Sequence, residues 1–416
     1  SQLAVVTQGA VGPNCHYPEQ AAVWGLARTI ELEHPELRCR RIDLDPLLSL
    51  PEQQALIDSE LASDSSGSIS YRDGKRYVAR LEKGPLDTRL PNRPANAYEL
   101  TIARESLANS LTLRDTPRQE PNVDEVEIRV AAAGLNFIDG LDMAGLLPFE
   151  RDWLGVECSG EIVSVGSGVT RFQVGDPVLA LAPGAFRQFV TVPSVLVSPW
   201  ERPKHSATEA ATLPANFLTA DRALRSVANL QAGESILIHA GAGGTGMAAL
   251  HVARSLGAEA YITASRGRWQ ALRALGVSHI MDSRTLDFAE ELMTATGGKG
   301  VDVVLNSLVG EYIPKSISVL APQGRFIELG KRDIWTSERV AALRTDVSFH
   351  VVDLLADSER AAKHGRSPGQ ERSFFKDFAP PTTLPKTVFP IEEAPNAFRY
   401  FQKSRHIGKV VLNFAD

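Results

Sequence analysis

Residues 237–268 read LIHAGAGGTGMAALHVARSLGAEAYITASRGR. Gly241, Gly243, Gly244 and Gly246 follow the β-like run ESILIHA and precede the helix-like run MAALHVARSLGA. A phosphate needs backbone N–H groups at close range, and a Cβ would block that approach. The helix that follows adds the positive end of its dipole. The turn, with Thr245 inside it, is therefore a candidate dinucleotide cradle; the plain alternative is a tight strand–helix turn that binds nothing. The second strand selects the nucleotide. An NAD site carries Asp or Glu about 20 residues after the motif to accept from the ribose hydroxyls. Here that region holds Ser265, Arg266 and Arg268 and no acid. A carboxylate repels a 2′-phosphate, whereas a guanidinium pairs with it bidentately. The expected cofactor is NADPH rather than NADH.

The elements that must position this turn are legible as changes of pattern. Residues 1–83 read as strand, helix, strand and hairpin: LAVVT, PEQAAVWGLARTIELEHPEL, CRRIDL and SISYRDGKRYVARL. Val23, Leu26, Ala27 and Ile30 fall on one helix face, Pro18 suits the helix start and Pro35 marks its end. Asp73-Gly74 suits a two-residue hairpin turn. EKGPLDTRLPNRPANA reads as a linker. From about residue 97, short β-rich runs punctuated by Gly and Pro predict an antiparallel, barrel-like domain. From about 216 the pattern becomes strand–helix alternation, the signature of a doubly wound parallel sheet. Residues 355–384 are polar and carry several prolines, and no element is expected there. The last run, AFRYFQKSRHIGKVVLNF, reads as helix then strand returning to the barrel. The expected division is an α/β chain with an N-terminal fragment and linker at 1–88. A barrel domain follows from 89–215 and 345–416, and a Rossmann domain from 216–344.

Composition narrows the classes. Of 416 residues, 43% are hydrophobic and 23% charged, with a net charge of −6 and no basic block. That is ordinary for a globular protein and argues against nucleic acid as the main partner. The three cysteines lie far apart, which disfavours a disulfide framework or a cysteine-rich zinc site and fits a reducing, cytoplasmic setting. No apolar run approaches membrane-spanning length. The opening SQLAVVTQGA carries no initiator Met, so a piece of a longer chain is expected.

The chain resembles the medium-chain dehydrogenase/reductase superfamily, and within it the enoylreductase domain of modular polyketide synthases. The matching stretches are AAAGLNFIDGL, LGVECSGEIVSVGSGV, VGDPVLALAPGAF, HAGAGGTGMAALHVARSLGAE, GGKGVDVVLNSL, GRFIELGKRDI and HIGKVV. VVTQGAV, QAAVWGLARTIELEHPEL and YRDGKRYVARL resemble the structural half of a ketoreductase. That half has no glycine turn or Ser/Tyr/Lys set of its own and reads as structural. The resemblance implies a GroES-like barrel beside a Rossmann domain. It also implies reduction of an α,β-unsaturated thioester on an acyl carrier protein, with neighbouring synthase domains as further partners.

Zinc-dependent members of the superfamily bind metal through Cys and a His-Glu pair. Val156 stands where that His would be, and GLNFIDG offers no Cys, so no metal site is expected. Hydrogen bonds to the thioester carbonyl can instead stabilise an enolate. Lys331 in ELGKRD lies just after the last clear Rossmann strand, where ligands meet such sheets. With Asp353 in HVVDLL it matches the Lys and Asp of the family's pattern, and both are catalytic candidates. The resemblance also points Asn306 toward the cofactor; Pro214, Asn216 and Thr219 lie at the domain crossover and are expected near the nicotinamide end. Some relatives carry a proton-donating Tyr in the region aligned with 134–157. This chain has none, and Phe137 and Leu147 stand at the two plausible positions. Asp221-Arg222 likewise replaces aromatic residues that are common in the family. Two other readings remain open: reductive ring closure of a substrate bearing a leaving group, and a non-catalytic synthase scaffold.

Overall fold

Four strands build the N-terminal unit: β1 (Ala4–Gln8), β2 (Arg40–Leu44), β3 (Ser68–Arg72) and β4 (Lys75–Val78), in that spatial order. The computed structural model describes the chain apart from residues 1–2, 12–15, 38, 64–66, 79–88, 91–92, 95, 104–109, 201–204, 365–373, 376–377, 379, 381 and 416. It divides into two compact units, Ser1–Asp87 and Thr88–Asp416. Most of the expected linker lies outside the described residues.

In the first unit β1, β2 and β3 pair in parallel and β4 closes an antiparallel hairpin. Asp73 and Gly74 take positive φ, 51° and 70°, as the turn requires. Buried Asp43 accepts from Thr7 Oγ1 (2.6 Å) and the Ala10 N–H (2.9 Å) and pairs with Arg72. The helix Ala21–Glu33 departs from the expected packing: Ala27 is buried, but Leu26 is 62% exposed and Val23 is exposed. Trp24 anchors the helix by donating to Thr7 Oγ1 at 2.9 Å. The contact surface is thus shifted around the helix from the stripe that periodicity alone selects. The helix Leu50–Ala62 is an addition to the elements read from sequence; a Ser49/Glu52 capping box starts it.

The second unit opens with a hairpin, β5 (Tyr98–Ala103) and β6 (Ser110–Asp115). A seven-stranded sheet follows, built from β7 (Glu125–Gly134), β8 (Glu157–Val165), β9 (Pro177–Leu181), β10 (Phe189–Pro193) and β11 (Val197–Pro199), with two further strands from the end of the chain. The Rossmann sheet holds β12 (Ser235–Ile238), β13 (Glu259–Ala264), β14 (His279–Asp282), β15 (Val301–Asn306), β16 (Leu320–Glu328) and β17 (Ser348–Val351). Its order is β14-β13-β12-β15-β16-β17, parallel throughout. The chain returns to the barrel as β18 (Lys386–Pro390) and β19 (Lys409–Asn413), and β19 pairs antiparallel with β7.

Two differences from the sequence reading matter for the site. β17 pairs with β16, so the Rossmann sheet runs past the boundary expected at 344. Residues 354–364 form a helix inside the segment where none was expected; Asp353 starts it by accepting from the N–H groups of Leu355 and Ala356 at 3.1 and 3.2 Å. Among the described residues no helix is long and apolar enough to cross a membrane.

Candidate active site

The glycine turn is shaped by close approach. A Cβ on Gly241 would collide with Ile262, and one on Gly246 would meet the Ala240 carbonyl at 2.6 Å. Both glycines let β12, β13 and the helix Gly244–Ser255 pack together. Gly243 is different: its nearest neighbour for a Cβ is Ala240 O at 3.4 Å. It is the N-cap of that helix, and no side chain caps the helix there. The first N–H groups are left for a ligand anion. The residues present fit a bound pyrophosphate. Asn216 supports the turn, accepting from Thr245 Oγ1 at 3.2 Å and donating to Thr212 O at 3.0 Å. Pro214 starts the same helix, Pro214–Asp221, on which Thr219 is half-buried.

The two arginines after β13 separate. Arg266 is 79% exposed and donates to Asp282 Oδ2 at 2.8 Å. That bond, opposed by burial, holds the Asp282 carboxyl below its usual range. Arg268 is half-buried and, among the described residues, has no carboxylate at ion-pair distance. Burial, then the charge of Arg284, pushes its guanidinium below the ordinary value, with Tyr400 opposing. Arg268 thus lacks the counter-charge that Arg266 already has, and a phosphate monoester would supply it. Ser265 lies at the start of the same turn, where its carbonyl accepts from the Arg268 N–H at 2.9 Å.

Lys331 and Asp353 come together. Lys331 Nζ lies 2.6 Å from Asp353 Oδ2, with side chains 21% and 42% exposed. Burial raises the Asp353 carboxyl, but Lys331 and the helix N–H groups outweigh it and hold the group below its ordinary value. Lys331 lines a cavity of about 540 Å³ with Gly145, Leu146, Leu147, Pro148, Arg332, Asp333 and Ile334. Leu147, one of the two positions that a proton-donating Tyr would take, therefore lines the same cavity as the lysine and offers no proton. Phe137, the other, is exposed. A second cavity, about 670 Å³ and lined in part by Arg114, Glu150 and Trp153, shares no residue with the first.

Asn306 is fully engaged in holding a loop. Its Nδ2 donates to Leu308 O (2.9 Å) and Glu328 Oε2 (2.7 Å), and its Oδ1 accepts from the Leu308 N–H (3.1 Å). Asp221 and Arg222 form surface ion pairs, with Arg225 at 2.7 Å and Asp357 at 2.9 Å.

At the position of the superfamily's metal, the side chains are already paired. Glu157 Oε1 contacts Lys409 Nζ at 2.5 Å and accepts from Asn136 Nδ2 at 2.9 Å; Oε2 accepts from the Ala215 N–H at 2.7 Å. Cys158 belongs to the apolar core, and burial followed by the Glu157 charge pushes its thiol up. Among the described residues no cluster of His, Cys, Asp and Glu could hold a metal ion. These residues do not fit a zinc site.

Sequence reasoning missed Glu328, Lys409 and Gly408. The Gly408 N–H donates to Ala242 O at 2.9 Å, joining the barrel's last loop to the glycine turn. HIGKVV carried a family signal there, but no local pattern identifies a partner so distant in the chain.

Comparison with known proteins identifies the family. Residues 122–202 match the alcohol dehydrogenase GroES-like domain, and residues 275–412 match the zinc-binding dehydrogenase family. Residues 1–81 match the Rossmann fold domain of polyketide synthase extender module SpnB. A phenolphthiocerol/phthiocerol polyketide synthase of Mycobacterium tuberculosis is 37% identical over 99% of this chain and 20% of its own length. The chain thus spans about a fifth of that curated relative. Among solved structures, the CurK enoyl reductase is 42% identical with a TM-score of 0.70, covering 76% of this chain and 99% of its own. The CurF cyclopropanase of the curacin A pathway is 36% identical at the same TM-score and coverage. The chain belongs to the medium-chain dehydrogenase/reductase superfamily, in its modular polyketide synthase enoylreductase branch. The fold is that of an oxidoreductase that uses a nicotinamide cofactor.

Proposed function

We propose that this chain reduces the α,β double bond of an enoyl thioester carried by an acyl carrier protein, using NADPH. The observation that carries the reading is that Lys331, paired with Asp353, lines a cavity whose other walls are Gly145, Leu146, Leu147, Pro148 and Ile334 beside the charged Arg332 and Asp333. A bound nicotinamide supplies the hydride that goes to Cβ. Gly243, Gly244 and Thr245 hold the pyrophosphate, and Arg268 with Ser265 holds the 2′-phosphate. Leu146, Leu147 and Ile334 receive the acyl chain and keep water from it. Lys331 places an ammonium where negative charge develops on the thioester oxygen and then yields a proton to Cα. Asp353, ionised at neutral pH, orients that ammonium rather than donating. Incubation of a crotonyl-type thioester with NADPH should give a product about two mass units heavier, the hydride and proton that the mechanism adds. An unchanged substrate, with NADPH bound, would overturn the reading.

A second reading keeps fold and cofactor. The likeness to CurF and the absence of Tyr from 134–157 favour a site that also tolerates intramolecular quenching of the enolate. A thioester with a γ-leaving group would then lose that group and close a ring.

A further inference from the structure

The loop that carries Lys331 leaves β16 at Glu328, a carboxylate that is only 1% exposed. Its two oxygens have separate duties. Oε1 accepts from the Gly330 N–H at 2.6 Å, and Oε2 accepts from Asn306 Nδ2 at 2.7 Å. Its own backbone carbonyl accepts from the Val352 N–H at 2.9 Å. One residue therefore fastens the neighbour of Lys331 through its side chain and the neighbour of Asp353 through its backbone. Gly330 is needed for this approach, since a Cβ there would lie 2.7 Å from Glu328 Oε1.

We infer that Glu328 is the positioning residue of the Lys331–Asp353 pair, holding the two chain segments in the register that lets ammonium and carboxylate meet over the cavity. The inference rests on the reading of Lys331 as the group that protonates Cα. Two donors face this side chain, and only an ionised carboxylate presents two acceptors with no donor. Burial, with a smaller push from the Asp333 charge, raises the Glu328 carboxyl from its ordinary value, and the hydrogen bonds from Asn306 and the Gly330 and Leu329 N–H groups offset only part of that. A neutral amide at this position could not satisfy both donors, since its NH₂ would face one of them.

The test compares Lys331→Ala, Glu328→Gln and Glu328→Asp in the full chain, with a crotonyl thioester and NADPH in D₂O. Turnover, KM for each substrate, thermal midpoint and the configuration of the deuterated Cα are measured. Glu328→Gln turns an amide donor toward an existing donor and shifts the loop. Misplacement by about 1 Å can cost on the order of a hundredfold, so kcat should fall by about that much and the Cα configuration should blur. KM for NADPH should move little. Glu328→Asp keeps both acceptors on a shorter stem and should recover part of the rate and of the configuration. A role confined to folding would lower the thermal midpoint and leave kcat per folded molecule and configuration unchanged, and that result overturns the inference. If Glu328→Gln does not fold, Glu328→Asp decides by the same two readouts. Wild-type turnover and configuration in Lys331→Ala would sink the functional reading itself. A defective Lys331→Ala beside wild-type Glu328 variants would sink only the inference.

Discussion

Two of the lysine–carboxylate pairs in the larger unit, Lys409–Glu157 and Lys331–Asp353, differ in nearly everything but chemistry. Lys409 and Glu157 are 3% and 0% exposed, and Asn136 and the Ala215 N–H take up the remaining atoms. Lys331 and Asp353 are partly open and line or adjoin a cavity. The first pair joins β8, β19 and the start of the helix Pro214–Asp221, with no room for a ligand: a Cβ on Gly134 would already meet Lys409 Cε at 2.6 Å. The second leaves an ammonium that can change partner. Burial and saturation make an ion pair a lock, whereas partial exposure beside a cavity leaves it available for proton transfer.

Substitutions that swap these roles test the comparison. Lys331→Ala should lower turnover by about 10²–10⁴, the usual contribution of general acid catalysis, with NADPH affinity nearly unchanged by fluorescence titration. Its thermal midpoint should move far less than that of Lys409→Met, because this pair is partly open to solvent and pairs near the surface contribute about 0–1 kcal/mol. Lys409→Met should do the reverse. Leaving Glu157 buried and unpaired costs about 3–5 kcal/mol, readable as a lower denaturation midpoint. Pairing it with Glu157→Gln should restore much of that loss. A Lys409→Met protein of normal stability would show that the buried pair is no lock.

Arg268→Ala should weaken NADPH by about tenfold or more, since a charge-assisted contact is worth about 1.5–3 kcal/mol, and should spare NADH. Arg266→Ala should do far less, because Arg266 already has Asp282. Equal weakening of both cofactors in Arg268→Ala would remove the 2′-phosphate assignment.

The acid limb of activity should reflect Asp353. Its folded carboxyl lies below the ordinary value, so its pairing with Lys331 is complete above the unfolded pKa of about 3.9. The pairing is lost only as pH falls through the lower folded value. Activity should therefore hold down to the limit of folding on the acid side, and Asp353→Asn, which cannot titrate, should lower the rate by a similar factor at every pH rather than add an acid limb. Chelators should have the smallest effect, leaving the rate unchanged; stoichiometric zinc whose removal abolishes activity would contradict the pairing of Glu157.

Short-range patterns are readable because their causes are local. The glycine turn, the Asp73-Gly74 hairpin and the alternation of β12 to β16 with helices follow from backbone sterics and apolar periodicity within a few residues. The missing acid after β13 is equally local, and so is the absence of Tyr from 134–157. What the order of residues leaves open is decided by contacts between distant segments. Periodicity nominates Val23, Leu26, Ala27 and Ile30 for burial; Ala27 is buried as expected, but Val23 and Leu26 are exposed and Trp24 makes the anchoring contact. Arg266 and Arg268 look alike in the chain until Asp282, arriving from β14, neutralises one of them. Glu328 reads as one more strand-end carboxylate until Asn306 and Gly330 close on it. Lys331 and Asp353 become a pair only because β16 and β17 lie side by side in the sheet. Local conformation needs only near neighbours, whereas charge state and reach depend on what the fold packs against each side chain.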